Sequence, residues 1–220
     1  MLSIVPPLDE VSMEQQTVHL YVPDTMADWE PGYAIAGINQ PMYQAVPGRY
    51  RVRTVGATRD PVRTMGGVTI LPELALEELS AEDCAMLILP GAATWDEGGN
   101  GAAAEKAREL LDAGVPVAAI CGATAGLARA GALDRRRHTS NAAEYLAAQP
   151  GYGGAAHYQE ERAVLDGDLV TAGATAPADF AHRIFQRLEV YAPEVLDAWY
   201  RLHAHGDPSG FHALQAAEGA

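Results

Sequence analysis

The chain has 220 residues, which suits one α/β domain able to bury roughly 70% of its unfolded surface without covalent staples. Its 15 basic and 29 acidic side chains give a formal charge of −14, which repels phosphate backbones and anionic lipid surfaces and argues against nucleic acid and membrane partners. Two cysteines supply neither a disulfide framework nor metal-ligand spacing, no apolar run reaches about 18 residues, and no basic region precedes a long apolar core at the amino terminus. The expectation is a cytoplasmic, metal-free and cofactor-free protein.

Residues 1–16 mix prolines, acids and glutamines without periodicity and read as a leader. A β-rich run over 18–22 closes at Pro23-Asp24, after which Met26, Trp29, Tyr33, Ile35 and Ala36 recur at helical spacing. This is a first β–α unit. Residues 49–55 alternate as a second strand, 66–71 read as a turn and an extended piece, and 74–79 as a helical turn. Residues 84–89 are apolar on both faces, as in a central parallel strand, and break at Pro90-Gly91-Ala92. A helix is predicted over 102–113, with Leu110 and Leu111 inward and Gly114 as its stop.

The chain is organised around 115–128, a short apolar run that ends on Cys121 and passes into small residues. It reads as strand, sharp turn and helix, so Cys121 stands where a nucleophile elbow lifts a reactive atom above the carboxyl edge of a parallel sheet. Unpaired N–H groups at the helix start favour the thiolate. The same pattern suits a buried, inert cysteine. A helix over 123–130 and a strand near 137–139 follow, with Arg135, Arg136 and Arg137 complementing the C-terminal dipole of that helix. Asp166-Gly167 between apolar runs marks a hairpin over 163–172, and an apolar stripe with Phe180, Ile184, Phe185 and Leu188 predicts a helix over 177–191. The main domain is thus 17–191. Residues 192–220 read as a helical extension whose Trp199, Tyr200, Leu202 and Phe211 need cover from the domain or from a second subunit.

Alternating strands and helices with glycine-marked turns give an α/β doubly wound, mostly parallel sheet with helices on both faces. Within it the segments 24–30, Leu87-Ile88-Leu89-Pro90-Gly91-Ala92, Ala119-Ile120-Cys121-Gly122-Ala123-Thr124 and Leu169-Val170-Thr171-Ala172-Gly173 resemble, in order, the ThiJ/PfpI family. That family belongs to the class I glutamine amidotransferase-like superfamily and is flavodoxin-like in fold. The resemblance spans about residues 17–191.

The resemblance implies that Cys121 is the nucleophile and that Glu30 holds or passes a proton beside it. Asp28 is the local rival for that role, and Glu30 equally suits a helix-start acid facing the dipole. By the same resemblance the backbone N–H groups of Gly91, Ala92 and Gly122 form an oxyanion hole, and Trp95, Thr124 and Asn141 are candidate pocket residues. Two departures stand out. Gly122 occupies the place directly after the cysteine where many relatives carry histidine, and Asn141 the place of a second histidine. No downstream His-x-Glu pair follows, which speaks against glutamine-dependent ammonia transfer, and His19, His138 and His157 are the candidate replacements for the base. The implied function is a cysteine-dependent hydrolase or lyase/hydratase acting on a small electrophile. The alternative is a non-enzymatic redox or stress-response protein with an oxidisable Cys121. A homodimer is implied as well.

Overall fold

A computed structural model describes residues 15–218, so the expected leader falls outside the described residues except for its last two positions. Seven strands form one sheet: β1 (Gln16–Tyr21), β2 (Tyr50–Gly56), β5 (Leu74–Ala75), β6 (Met86–Leu89), β7 (Val117–Ile120), β8 (Ala163–Asp166) and β9 (Leu169–Ala172). Their order is β5-β2-β1-β6-β7-β9-β8. Every pairing is parallel except β8 with β9, the hairpin announced by Asp166-Gly167, where Gly167 takes φ 59°. The short strands β3 (Val62–Arg63) and β4 (Thr69–Ile70) form a separate hairpin.

The central strands β6 and β7 are apolar throughout because both their faces are covered. On one face Val18, Leu20, Ile88, Ile120 and Val170 pack against α1 (Trp29–Asn39) and α6 (Pro177–Leu188). On the other, Leu87, Leu89, Val117 and Ala119 meet α2 (Ala93–Asp96), α3 (Gly101–Asp112) and α4 (Gly122–Arg129). Alternate residues of one strand thereby serve two cores.

Three expectations change. Residues 74–79 contribute the edge strand β5 before a 3-10 turn, because Leu74 and Ala75 bond to the outer side of β2. Residues 137–139 form no strand: apart from an isolated bridge to Tyr158, the Thr139 N–H donates to Thr171 Oγ1 and its hydroxyl to the Glu161 carbonyl. The helix from Pro177 stops at Leu188, where Glu189 turns to φ 53°. The short α5 (Ala143–Ala147) was not foreseen. The C-terminal extension is helical, as α7 (Pro193–His205) and α8 (Pro208–Glu218), and docks on its own domain: Trp199 is buried, with its ring edge-on to Phe185 at 5.0 Å.

Candidate active site

The strand β7 is held between β6 and β9 up to its last residue, and the Cys121 N–H then donates to the Ala172 carbonyl of β9 at 3.0 Å. This bond fixes Cys121 in a conformation that side chains rarely adopt, φ 57° and ψ −126°, at the N-cap of α4. Such backbone strain costs about 1–3 kcal/mol, tolerated here because two strands and a helix enforce it. Thr124 secures the turn from the helix side, donating to the Cys121 carbonyl at 2.6 Å while its hydroxyl meets Ser140 Oγ at 2.6 Å.

Glu30 reaches the same point from α1. It is 1% exposed, its Oε2 accepts the Gly91 N–H at 2.6 Å, and the Cys121 thiol hydrogen-bonds to its carboxyl. Burial raises this acid from 4.5 to about 7, against the pull of those two hydrogen bonds. Gly91 makes the approach feasible. A methyl group built on it would lie 2.7 Å from Glu30 Oε2 and 3.1 Å from Cys121 Sγ, inside contact distance of both.

The thiol itself is partly exposed and raised from 9.0 to about 11, first by burial and then by the Glu30 charge. The helix start therefore does not produce the low thiol expected for an elbow cysteine, because desolvation outweighs the Gly122 N–H that supports the sulfur. Asn141 adds the second support: its Nδ2 donates to Sγ at 3.5 Å, while its Oδ1 accepts the Ala174 N–H at 2.9 Å. That second bond fixes which way the amide faces.

A profile of the DJ-1/PfpI family matches residues 16–187. The chain belongs to the DJ-1/PfpI family. It is 40% identical over 204 residues to the uncharacterized protease YoaZ of Bacillus subtilis, covering 92% of this chain and 97% of that one. A thiJ/pfpI protein of Bacillus anthracis, also 40% identical, superposes with a TM-score of 0.86 over 93% of this chain and 98% of its own. A DJ-1 superfamily protein of Agrobacterium tumefaciens follows at 28% identity and 0.79, over 88% and 100% of the two chains. The flavodoxin-like doubly wound sheet is thereby established.

Within this DJ-1/PfpI site, Cys121, Glu30, Gly91 and Asn141 converge, and Thr124 stands one bond away. Three assignments move. The Gly91 N–H is engaged by Glu30 and is not free for an oxyanion; among the described residues Ala92 and Gly122 donate no backbone hydrogen bond to another peptide carbonyl. Asp28 instead accepts the Gly66 N–H at 2.6 Å and is held below the usual carboxylate range by the Thr64 hydroxyl, so it closes the β3–β4 hairpin. Trp95 is fully buried, donates to the Pro90 carbonyl at 2.9 Å and packs so tightly on Gly126 that a methyl there would meet its ring at 2.2 Å; it supports the elbow from beneath and presents no surface to solvent.

No histidine hydrogen-bonds to Cys121 or Glu30 among the described residues. His138 is fully buried and bonded to the Arg136 carbonyl and the Tyr152 hydroxyl, and His19 lies within β1, beside Arg53 of β2 and Leu87 of β6. Two residues escaped the sequence reading. Ser140 extends the Thr124 link, and Tyr145 of α5 lies close enough to feel a charge on Cys121 while its hydroxyl donates to Asp96 at 2.5 Å. Neither carries a motif, and Tyr145 rides on a helix too short to announce itself. No group of three His, Cys, Asp or Glu able to hold a metal occurs among the described residues, nor any helix long and apolar enough to cross a membrane.

Proposed function

We propose that this protein is a cofactor-free cysteine-dependent enzyme in which Cys121 adds to the electrophilic carbon of a small metabolite and Glu30 moves the proton. The supporting observation is the pair itself: a buried carboxyl raised to about 7 accepts a hydrogen bond from a thiol at a strained elbow. A poised acid of this kind works near neutral pH as base and then as acid. As the sulfur–carbon bond forms, the carbon–heteroatom π bond breaks and the thiol proton passes to Glu30. The charge left on the heteroatom faces the Ala92 and Gly122 N–H groups, and Glu30 then returns the proton to it. Thiol has added across the multiple bond with no change in electron count. With an amide the proton goes to the nitrogen instead, so that the amine leaves and a thioester remains; with either kind of adduct, water deprotonated by the same carboxylate then bonds to the carbon, the carbon–sulfur bond breaks, and Glu30 gives the proton back to the sulfur.

YoaZ and YdeA of Bacillus subtilis are both named as proteases, so an amide carbonyl joins aldehydes and isonitriles among the electrophiles to try. A cleft of about 350 Å³ lies beside Asn141, bordered by Tyr158, Glu160, Arg162 and Thr175, and neither Cys121 nor Glu30 lines it. The test is turnover of methylglyoxal, a simple isonitrile and a fluorogenic peptide amide, with Cys121→Ala as the blank. Turnover lost in that variant supports the reading; Cys121→Ala matching wild type on every substrate turned over would falsify it.

A second reading is favoured by the donors around Sγ. With Glu30 protonated, its hydroxyl and the Asn141 amide can both bond to a sulfinate, formed when each of two hydrogen peroxide molecules gives one oxygen to the sulfur and leaves as water. Stable sulfinate without turnover of any electrophile selects it. Association as a homodimer is also proposed. With the extension docked on its own domain, the exposed Trp29, Met65, Val68 and Leu71 are the apolar surface left for a second subunit to cover, and sedimentation as a monomer at micromolar concentration refutes the dimer.

A further inference from the structure

The crossover from β2 to β6 carries no α-helix, so among the described residues one face of β1 and β2 lacks the helical cover found over the rest of the sheet. A cleft of about 680 Å³ opens there, at the amino edge and far along the strands from the Cys121 elbow. Strand register lays hydrogen-bond donors across its floor: Thr17 lies beside Arg51, and His19 beside Arg53. The walls come from the crossover, through Glu78, Leu79, Ser80 and Asp83, and from Cys84.

His19 is 2% exposed, and its Nδ1 is buried with no hydrogen-bond partner among the described residues. Leaving a buried N–H unpaired costs about 1–3 kcal/mol, and orphaned donors are rarer than orphaned acceptors, which places the proton on Nε2 and makes that nitrogen a donor. Arg51 bonds only to Thr17 Oγ1 at 3.3 Å and forms no ion pair among the described residues. Arg53 gives its Nε to Glu73 at 3.2 Å. Of the wall carboxylates only Glu78 is ion-paired among the described residues, and the charge of Asp83 is felt at His19. Glu78 takes Arg59 and the Ala75 N–H, and Asp83 takes the Ser80 hydroxyl, which leaves Glu82 at the exposed rim. Arg53 is thus answered by Glu73, and the terminal nitrogens of Arg51 are the cationic donors on the floor that no carboxylate among the described residues pairs.

We propose that this cleft is a binding site for a small oxyanion, a carboxylate or a phosphate, held by Arg51, Arg53 and His19. A planar guanidinium suits both anions because it offers paired N–H groups to two oxygens at once. The site is independent of Cys121 chemistry and stands whether or not that chemistry is found.

The test follows the His19 ring by NMR, with calorimetry alongside, as the full chain is titrated with inorganic phosphate, succinate and the uncharged succinamide. A saturable shift with phosphate or succinate, absent with succinamide, is expected, and the anion that binds identifies the class. Arg51→Gln should weaken that binding at least tenfold while leaving iodoacetamide labelling of Cys121 unchanged. The proposal fails if both anions leave His19 unmoved, if succinamide matches succinate, or if Arg51→Gln binds at wild-type strength. The comparison with succinamide is made in the wild-type protein, so it decides between these outcomes even where the variant does not fold.

Discussion

The two cysteines sit at opposite ends of neighbouring strands, Cys84 just ahead of β6 and Cys121 just after β7, and burial raises both thiols. Cys84 is raised to about 12 and Cys121 to about 11. Acid strength in the resting protein therefore does not separate them. What separates them is company. Beside Cys84 only the Met86 N–H opposes burial, whereas Cys121 has Glu30 to take its proton and Asn141 and Gly122 to support its charge. Reactivity at this elbow is a property of a thiol–carboxyl pair, and the parts of that difference can be removed one at a time.

Removing the proton acceptor should do most. Glu30→Gln keeps an oxygen for the Gly91 N–H but cannot exchange a proton, so kcat on any substrate found should fall by roughly 10²–10⁴. A merely structural acid would leave turnover per folded molecule near wild type.

The same variant carries a stability signature. Glu30 titrates at about 7 in the folded protein against an ordinary value of 4.5, so the folded state holds the proton more tightly. That contribution is full below about pH 4.5 and is lost as pH rises through about 7, a swing of about 3 kcal/mol. His19, lowered from 6.5 to about 4, works in the opposite sense, contributing above pH 6.5 and losing its contribution as pH falls towards 4. Urea unfolding of wild type alone would mix the two. The difference between wild type and Glu30→Gln isolates the carboxyl, and it should move by about 3 kcal/mol in favour of the variant between pH 4.5 and 8. A difference that stays flat across this range would show that Glu30 is not held protonated.

Removing the sulfur's amide donor should matter less. Asn141→Ala loses one hydrogen bond to a developing thiolate, about 1.5 kcal/mol, so alkylation of Cys121 should slow about tenfold with the thermal midpoint little changed. An unchanged rate would mean that the 3.5 Å contact does not persist in solution.

How much of this was legible in the sequence follows from where the information lies. The blocks 86–89 and 117–120 are apolar on both faces and could be read as strands inside the sheet, 169–172 could be read as one arm of a hairpin, and with them the elbow at Cys121 was legible. The span 57–85 resisted reading because its strands are two residues long and its order comes from contacts such as Asp28 with Gly66. Residues 137–139 read as a strand, yet the bonds of Thr139 go to the Thr171 side chain and the Glu161 carbonyl, partners no local pattern names. The site divided in the same way. Cys121 was marked by its place at a strand-to-helix turn and Glu30 by the family resemblance, whereas the direction of the Gly91 N–H, the orientation of Asn141 and the nearness of Tyr145 are tertiary facts.

The smallest effect belongs to the other cysteine. Cys84 is 7% exposed and among the core residues of the face that carries α3 and α4, so Cys84→Ala removes a buried sulfur and should cost about 1 kcal/mol of stability. Nothing else should move. Neither Glu30 nor Asn141 touches it, and no hydrogen bond links it to the elbow among the described residues. Iodoacetamide labelling followed by peptide mapping should therefore find Cys121 modified at the wild-type rate in Cys84→Ala, and Cys84 unmodified in Cys121→Ala until the protein unfolds. Preferential labelling of Cys84 in the folded wild type would reverse the comparison, because the thiol with no proton acceptor would then be the reactive one.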